Sequence, residues 1–338
     1  MNEDRILLAH GAGGLMSSNL LQEVFLPYLD NNLLNRLEDS AVLDVDTNLQ
    51  GLSFSTDSYV VNPLFFPGGN IGSLSIHGTV NDLAVSGAKP LYISAGFIIE
   101  EGMSKQDLET IVSSMAAAAT EAGVQVVAGD TKVVARGAAD GVYINTSGIG
   151  IKDRQEILSY SNITVGDSII VSGSVGDHGA TILAEREGLE SAGNLKSDSA
   201  PLGNLIQNML DATSGVRCMR DATRGGLGAV LVELASQAGV TLEIDEQSIP
   251  VREEVRGICE IMGLDPLYIA NEGKVVVFCS HEVQEHVLEA MRSSPYGADA
   301  AVIGRVEDAG KGRVKLKTIL GTHRDIDLPS GEIVPRIC

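Results

Sequence analysis

The chain has 338 residues, more than one ordinary hydrophobic core accommodates, so two domains are expected; a hydrophobic content of 44% makes it globular. Asp and Glu outnumber Lys and Arg by 45 to 24, a net charge of -21, and no basic run offsets it. That balance excludes nucleic acid and an anionic membrane surface as partners, and it means that a phosphorylated ligand would need cations, most naturally Mg²⁺ held by aspartates.

The first residues, Met1-Asn2-Glu3-Asp4-Arg5, are acidic and unlike a signal peptide, and no apolar stretch reaches membrane-spanning length, so a cytoplasmic protein is expected. A short strand over 6–9 leads into His10-Gly11-Ala12-Gly13-Gly14 and a helix carrying Leu20, Leu21, Val24 and Phe25. Glycine N–H groups and a helix N-terminus together suit an anion, so this loop reads as a phosphate cradle or, more simply, as a turn. It is not a Walker A loop, because no Lys-Ser/Thr follows. Strands over 41–45 and 52–56 come next, with Asp39 before the first and Asp57 after the second. A helix over 72–86 buries Ile76, Val80 and Leu83, puts His77 and Asn81 on another face, carries Asp82, and stops at Gly87 and Pro90. Ser104 opens a long helix with Leu108, Ile111, Val112, Met115 and Ala119 at 3–4 spacing, closed by Gly123. A strand over 124–128 then runs into Gly129-Asp130-Thr131-Lys132, placing an acid and a base at a strand's carboxyl end, where α/β folds bind ligands. A strand over 142–149 completes the first unit.

Residues 151–166 lack a sustained period and mark a domain boundary. Beyond them, a strand over 168–172 enters a second glycine-rich turn, 172–179, and a helix; this is an anion seat or a place of close packing. Arg220-Asp221-Ala222-Thr223-Arg224-Gly225-Gly226 forms a polar loop before a helix with Leu227, Val230, Leu231 and Leu234. A strand over 242–244 and a helix through Cys259 follow. Asn271-Glu272-Gly273-Lys274 leads into the buried strand 275–279, and a helix with Val287 and Met291 and strands over 301–306 and 314–317 close the second unit. The cysteines at 218, 259, 279 and 338 form no C-x-x-C pair, which argues against zinc and against disulfides. Cys259 and Cys279 lie in apolar patterns, whereas Cys338 ends a proline- and glycine-containing tail with no core to join. His77, His178, His281, His286 and His323 lack ligand-like spacing and read as structural or solvent-facing.

The joint order of Leu37-Glu38-Asp39-Ser40-Ala41-Val42, Ser55-Thr56-Asp57-Ser58, Val80-Asn81-Asp82-Leu83-Ala84, Ala128-Gly129-Asp130-Thr131, Asp221-Ala222-Thr223-Arg224-Gly225-Gly226-Leu227 and Asn271-Glu272-Gly273 resembles the aminoimidazole ribonucleotide synthetase superfamily of ATP-dependent enzymes. With Pro335-Arg336-Ile337-Cys338 at the end, the whole length is similar to the superfamily's carbamoyl dehydratases of hydrogenase maturation. Selenophosphate synthetases share much of the pattern but carry a reactive Cys or Sec near the N-terminus, and thiamine-monophosphate kinases lack the terminal cysteine.

The resemblance implies an α/β (α+β) fold of two domains, with a first sheet forming the barrel-like core of a homodimer, a mixed C-terminal domain and a flexible tail. The corresponding divisions are 1–40 for the glycine-rich segment, 41–152 for ATP binding and dimerisation, 153–320 for the second domain and 321–338 for the tail. It further implies ATP and Mg²⁺, with Asp39, Asp57, Asp82 and Asp221 on the metal and Gly11, Gly13, Gly14, Asn81, Asp130, Thr131 and Arg224 at the nucleotide. Cys338 would carry a carbamoyl group loaded by a carbamoyltransferase, HypF, and ATP would drive its dehydration to S–C≡N. The cyano group would then pass to iron on a HypC–HypD scaffold during [NiFe]-hydrogenase maturation. Glu272 is the expected base, Lys132 a charge stabiliser and His10 a further catalytic candidate. The alternatives are a small-molecule kinase or synthetase of the same superfamily, and a non-catalytic thiol carrier.

Overall fold

The structure, a computed structural model, describes residues 5–11, 15–36, 50–189, 193–329 and 333–338. The expected strand over 41–45, Asp39, Gly13 and Gly14 lie outside the described residues. The expected strand over 6–9 is replaced by an isolated bridge from Arg5 to Ser104 and a 3-10 turn over Leu8–Gly11. His10 causes the difference: its Nδ1 accepts the Leu7 N–H at 2.9 Å, which curls the backbone instead of extending it. Short helices α1 (Leu15–Leu20) and α2 (Leu26–Leu29) follow.

The first domain is built on four strands, β1 (Gly51–Tyr59), β4 (Lys89–Glu100), β5 (Gln125–Val134) and β6 (Val142–Lys152), in the order β1-β6-β4-β5. Two-residue strands β2 (Phe65–Phe66) and β3 (Gly69–Asn70) form a separate hairpin ahead of α3 (Ile71–Val85). The β4–β5 pair is parallel, as its crossover through α4 (Lys105–Ala122) requires, and the other pairs are antiparallel. Asn70 caps α3 in a capping box with Ser73, and Ser104 and left-handed Gly123 bound α4. Rather than showing one apolar face, α3 is buried all round except at Ser73 and Asp82. It lies between β1 and β6 on one side and α4 and the second domain on the other.

Among the described residues the sheet is open, with β1 and β5 as edges, and there is no closed barrel. Along β1, residues 51, 53, 55, 57 and 59 turn inward, while the alternate positions face solvent. Leu52 and Phe54 are 58% and 69% exposed there, and Ile98 of β4 is also exposed.

The second domain carries a seven-stranded sheet in the order β13-β12-β9-β11-β7-β10-β8. In chain order its elements are β7 (Ser168–Val171), α5 (Asp177–Glu187), α6 (Gly203–Ala212), β8 (Val216–Asp221), α7 (Gly226–Ala238), β9 (Val240–Asp245), α8 (Glu253–Met262), β10 (Val275–Cys279), α9 (Gln284–Arg292), β11 (Ala301–Ala309), β12 (Arg313–Lys317) and β13 (His323–Ile326). The central strands β7 and β10 are buried at every position. Val276 and Phe278 pack with Leu227, Leu231 and Leu234 of α7 on one face, and Val275 and Val277 with Leu205 and Met209 of α6 and Met291 of α9 on the other. Two covered faces explain why 275–279 reads as an unbroken apolar run.

The tail does not hang free. Strand β13 pairs with β12, and residues 333–338 then run back over both domains, burying Val334 and Ile337. Arg186 of α5 donates to the Pro335 carbonyl at 2.6 Å and also to the Arg336 carbonyl, which accepts the Asn62 N–H at 3.1 Å as well. The Arg336 guanidinium pairs with Asp140 of the first domain.

Candidate active site

The carboxylates of one half of the site come from both domains. Asp57 lies within β1 rather than after it, on the inward face with Ser55; Asp82 is the one acid on α3; Asp221 ends β8. The Ser55 hydroxyl donates to Asp82 Oδ2 at 2.6 Å. Burial raises the Asp82 pKa, the Ser55 bond opposes this, and the charge of Asp57 adds to the rise. Burial pushes Asp221 up to about 7, again helped by Asp82 and Asp57. Asp82 and Asp221 are raised by burial and by neighbouring carboxylates although Arg220 opposes the rise at both, so the three carboxyls form an oxygen-donor set of the kind that a hard cation binds. Arg224, 74% exposed at its side chain, approaches Asp57 at 3.9 Å. Among the described residues no cluster of three or more acidic, His or Cys side chains closes tightly enough to hold a metal by itself.

The other half of the site is closed. The Cys338 thiol sits beside the Glu272 carboxyl, close enough for each to act on the other's ionisation. Glu272 is 3% exposed, and its Oε1 has no hydrogen-bond partner among the described residues. Burial, followed by the charges of Asp221, Asp198 and Asp57, holds its pKa well above the usual carboxylate range. Burial and the nearby Glu272 likewise raise the thiol pKa, whereas Arg224 lowers it. Arg224 and Asp57 act on Cys338, and Asp221 acts on Glu272, so the two halves form one site. Glu272 owes its place to rigid neighbours: Asn271 accepts the Gly176 N–H at 2.7 Å and donates to the Ala222 carbonyl at 2.9 Å.

The remaining sequence candidates are dispersed. The Asn81 amide is buried and committed to protein, donating to the Ala200 and Glu272 carbonyls and accepting the Leu202 N–H, so it braces the Glu272 backbone. Asp130, Thr131 and Lys132 do not emerge from a strand end, because β5 continues to Val134; they pair with Gly96, Phe97 and Ile98 of β4. Lys132 and Asp130 are exposed and 3.9 Å apart, on the edge opposite β1. His10 is buried on its turn, and Gly11 ends that turn. The second glycine-rich turn holds no anion seat, since the first turn of α5 is occupied by its own Asp177, bonded to Ser174 at 2.5 Å and paired with Arg252 at 3.1 Å. Its glycines serve close packing; a Cβ on Gly179 would lie 2.6 Å from Ile269. Sequence reasoning missed Ser55, Arg186, His178 and Asp198. His178 Nε2 lies 2.7 Å from the Ile337 carbonyl, a contact across 159 positions that no local spacing signals.

The chain is similar to known proteins over nearly its whole length. Residues 37–152 match the family "AIR synthase related protein, N-terminal domain", and residues 164–317 match the corresponding C-terminal domain. Carbamoyl dehydratase HypE of Azotobacter vinelandii is 50% identical over 331 residues, covering 98% of this chain and 96% of that one. The crystal structure of hydrogenase maturation protein HypE in complex with ATP superposes with a TM-score of 0.94 at 46% identity, covering 98% of this chain and 99% of that one. A HypE–HypF complex matches with a TM-score of 0.80 at 44% identity, covering 94% of this chain and 100% of the other.

Proposed function

The chain belongs to the AIR synthase related proteins and, among them, to the carbamoyl dehydratase HypE family, and on that footing we infer that it dehydrates a carbamoyl group carried on Cys338, at the expense of ATP, in hydrogenase maturation. The observation that carries this reading is the contact between a terminal thiol and a buried carboxyl with a vacant oxygen. A kinase or synthetase acting on a free small molecule has no use for that contact.

The reaction converts S–C(=O)NH₂ and ATP into S–C≡N, ADP and phosphate. The carbamoyl oxygen attacks the γ-phosphorus, the bond to ADP breaks, and the oxygen later departs as phosphate, a far better leaving group than hydroxide. Two N–H protons must be lost. Glu272, beside the thiol that would carry the carbamoyl group, would take them, and its raised pKa makes it a stronger base than an ordinary carboxylate once ionised. Arg224 faces both the thiol and Asp57 and offsets negative charge building on the transferred oxygens. Asp57, Asp82 and Asp221, with Asp39, would hold Mg²⁺, which neutralises phosphate charge. Gly11, Gly13 and Gly14 would close on the phosphates.

A homodimer is supported by the exposure of Leu52, Phe54 and Ile98 on one sheet face and by β1 and β5, each paired on one side alone among the described residues; two such sheets face to face would make the barrel-like core. That packing would also bring Asp130, Thr131 and Lys132 of one copy toward the acids of its partner. Phe54→Asp should convert the dimer to monomer in analytical ultracentrifugation; an unchanged dimer would remove this face from the proposal. HypF would load the thiol and a HypC–HypD complex would accept the product, both on a tail released from Arg186.

Intact mass after incubation with the carbamoyltransferase, carbamoyl phosphate, ATP and Mg²⁺ tests the reading. A carbamoyl gain followed by loss of one water, both abolished in Cys338→Ala, is expected. ATP consumption without any change at Cys338 would support the small-molecule kinase instead.

A further inference from the structure

Beside the base runs the segment Ser197-Asp198-Ser199, which belongs to neither catalytic group and connects to both. The Asp198 side chain, 3% exposed, accepts the Glu272 N–H at Oδ1 (3.1 Å) and, at Oδ2, the Gly273 N–H (3.2 Å) and the Lys274 ammonium (3.0 Å). The backbone reinforces this grip: the Ala200 N–H donates to the Glu272 carbonyl at 3.4 Å. A Cβ on Gly273 would stand 1.9 Å from the Asp198 carbonyl oxygen, so the base loop and this segment touch backbone to backbone. Two histidines pin the segment on either side of Asp198. His77 of α3 meets the Ser199 hydroxyl at 2.9 Å, and His178 of α5 meets the Ser197 hydroxyl at 2.7 Å.

The second of these histidines also touches the tail. His178 Nε2 must donate to the Ile337 carbonyl, which can only accept, so the neutral ring carries its proton on Nε2 and Nδ1 accepts from Ser197. Ser197 Oγ in turn accepts the Ser199 N–H at 3.1 Å. A continuous hydrogen-bonded chain thus runs from the residue before Cys338, through His178 and Ser197, to the segment that holds the backbone of Glu272.

We propose that Asp198 is a positioning residue for the base, and that the His178–Ser197 link sets its segment only when the tail is seated, so that Glu272 is aligned by the arrival of the group on which it acts. The proposal rests on the reading of Glu272 as base in dehydration of the group on Cys338. Misplacing a reacting group by about 1 Å can slow a reaction by roughly 100-fold without touching the chemistry itself.

The test is single-turnover dehydration of the full-length, pre-carbamoylated protein, followed by intact mass on adding ATP and Mg²⁺. For Asp198→Asn the rate constant should fall about 100-fold while all molecules still react, with ATP affinity and the alkylation rate of unloaded Cys338 unchanged. Ser197→Ala, which touches neither base nor tail, should slow the step about 5-fold, the size of one lost hydrogen bond. A merely structural role would instead lower the reacting fraction at an unchanged rate constant, and that result, or a parental rate constant in Asp198→Asn, overturns the proposal. Should Asp198→Asn fail to fold, a parental rate constant in Ser197→Ala overturns it alone. Glu272→Gln in the same assay separates the two ideas: if it dehydrates normally, the base assignment itself fails; if it is inactive while Asp198→Asn is normal, only the positioning role falls.

Discussion

The two halves of the site differ in how they meet solvent. On the acid half, the side chains of Asp57 and Arg224 are 31% and 74% exposed, and Asp82 and Asp221 are half-buried. On the thiol half, Glu272 and Ile337 are almost wholly buried, and a carboxyl oxygen is left without a partner. An open, charged half suits a ligand that arrives dissolved and hydrated, as a nucleotide with its cation does. A closed half with a vacancy suits a group already attached to the chain, which enters as the tail folds down and needs no diffusional path.

The contrast can be broken from either side. Glu272→Gln, which keeps shape and removes the base, should lower dehydration by about 10³-fold with ATP binding intact, measured by phosphate release and calorimetry. In the parent the same step should accelerate as pH rises beyond the usual carboxylate range, because a carboxyl with a raised pKa becomes ionised, and so able to take a proton, only at higher pH. Asp82→Asn acts on the open half: Mg²⁺-dependent nucleotide affinity and turnover should fall roughly 10²-fold, while Cys338 is still carbamoylated. Equal turnover in this variant and the parent would exclude Asp82 from the cation site. Arg186→Ala loosens the tail and leaves both halves otherwise unaltered. Its thiol should be alkylated about 10-fold faster, reflecting the loss of charged hydrogen bonds that now hold the tail down. No change in alkylation would mean that the tail is seated without Arg186, by Val334, Ile337 and its contacts to Asn62, Asp140 and His178.

Much of this arrangement is written in local patterns. The helix read over 72–86, the helix Lys105–Ala122 with its bounds at Ser104 and Gly123, and the buried strand Val275–Cys279 emerge from local patterns, whereas the Asn70 cap of Ile71–Val85 does not. The order of aspartates through the chain points to a metal-assisted ATP site before any coordinates. Strand β4 is less visible, although Ile93, Ala95, Phe97 and Ile99 alternate into the core; Pro90 reads as a helix stop, and a register shift just after it lets the strand begin there. Strand β8 hides behind Arg217, Arg220 and Asp221, charges that an edge strand accommodates but a central one does not. Asp198, Arg186 and His178 are beyond such reading, because their partners at the base and the tail lie 74 to 159 positions away and only the folded chain joins them. Lys132 illustrates the converse: its motif is local, but its place on an edge strand is decided by the sheet.

The leash that follows β13 has a kinetic consequence. Cys338 is tied to the end of that strand by about 12 residues, with a root-mean-square reach of roughly 20 Å when undocked. A reactant confined to such a volume has an effective concentration on the order of millimolar, however dilute the protein. Dehydration is therefore first order in enzyme, with no Michaelis constant for the group being dehydrated, and a free thiocarbamate competes only at millimolar levels. Each molecule turns over once and then waits for its leash to be unloaded.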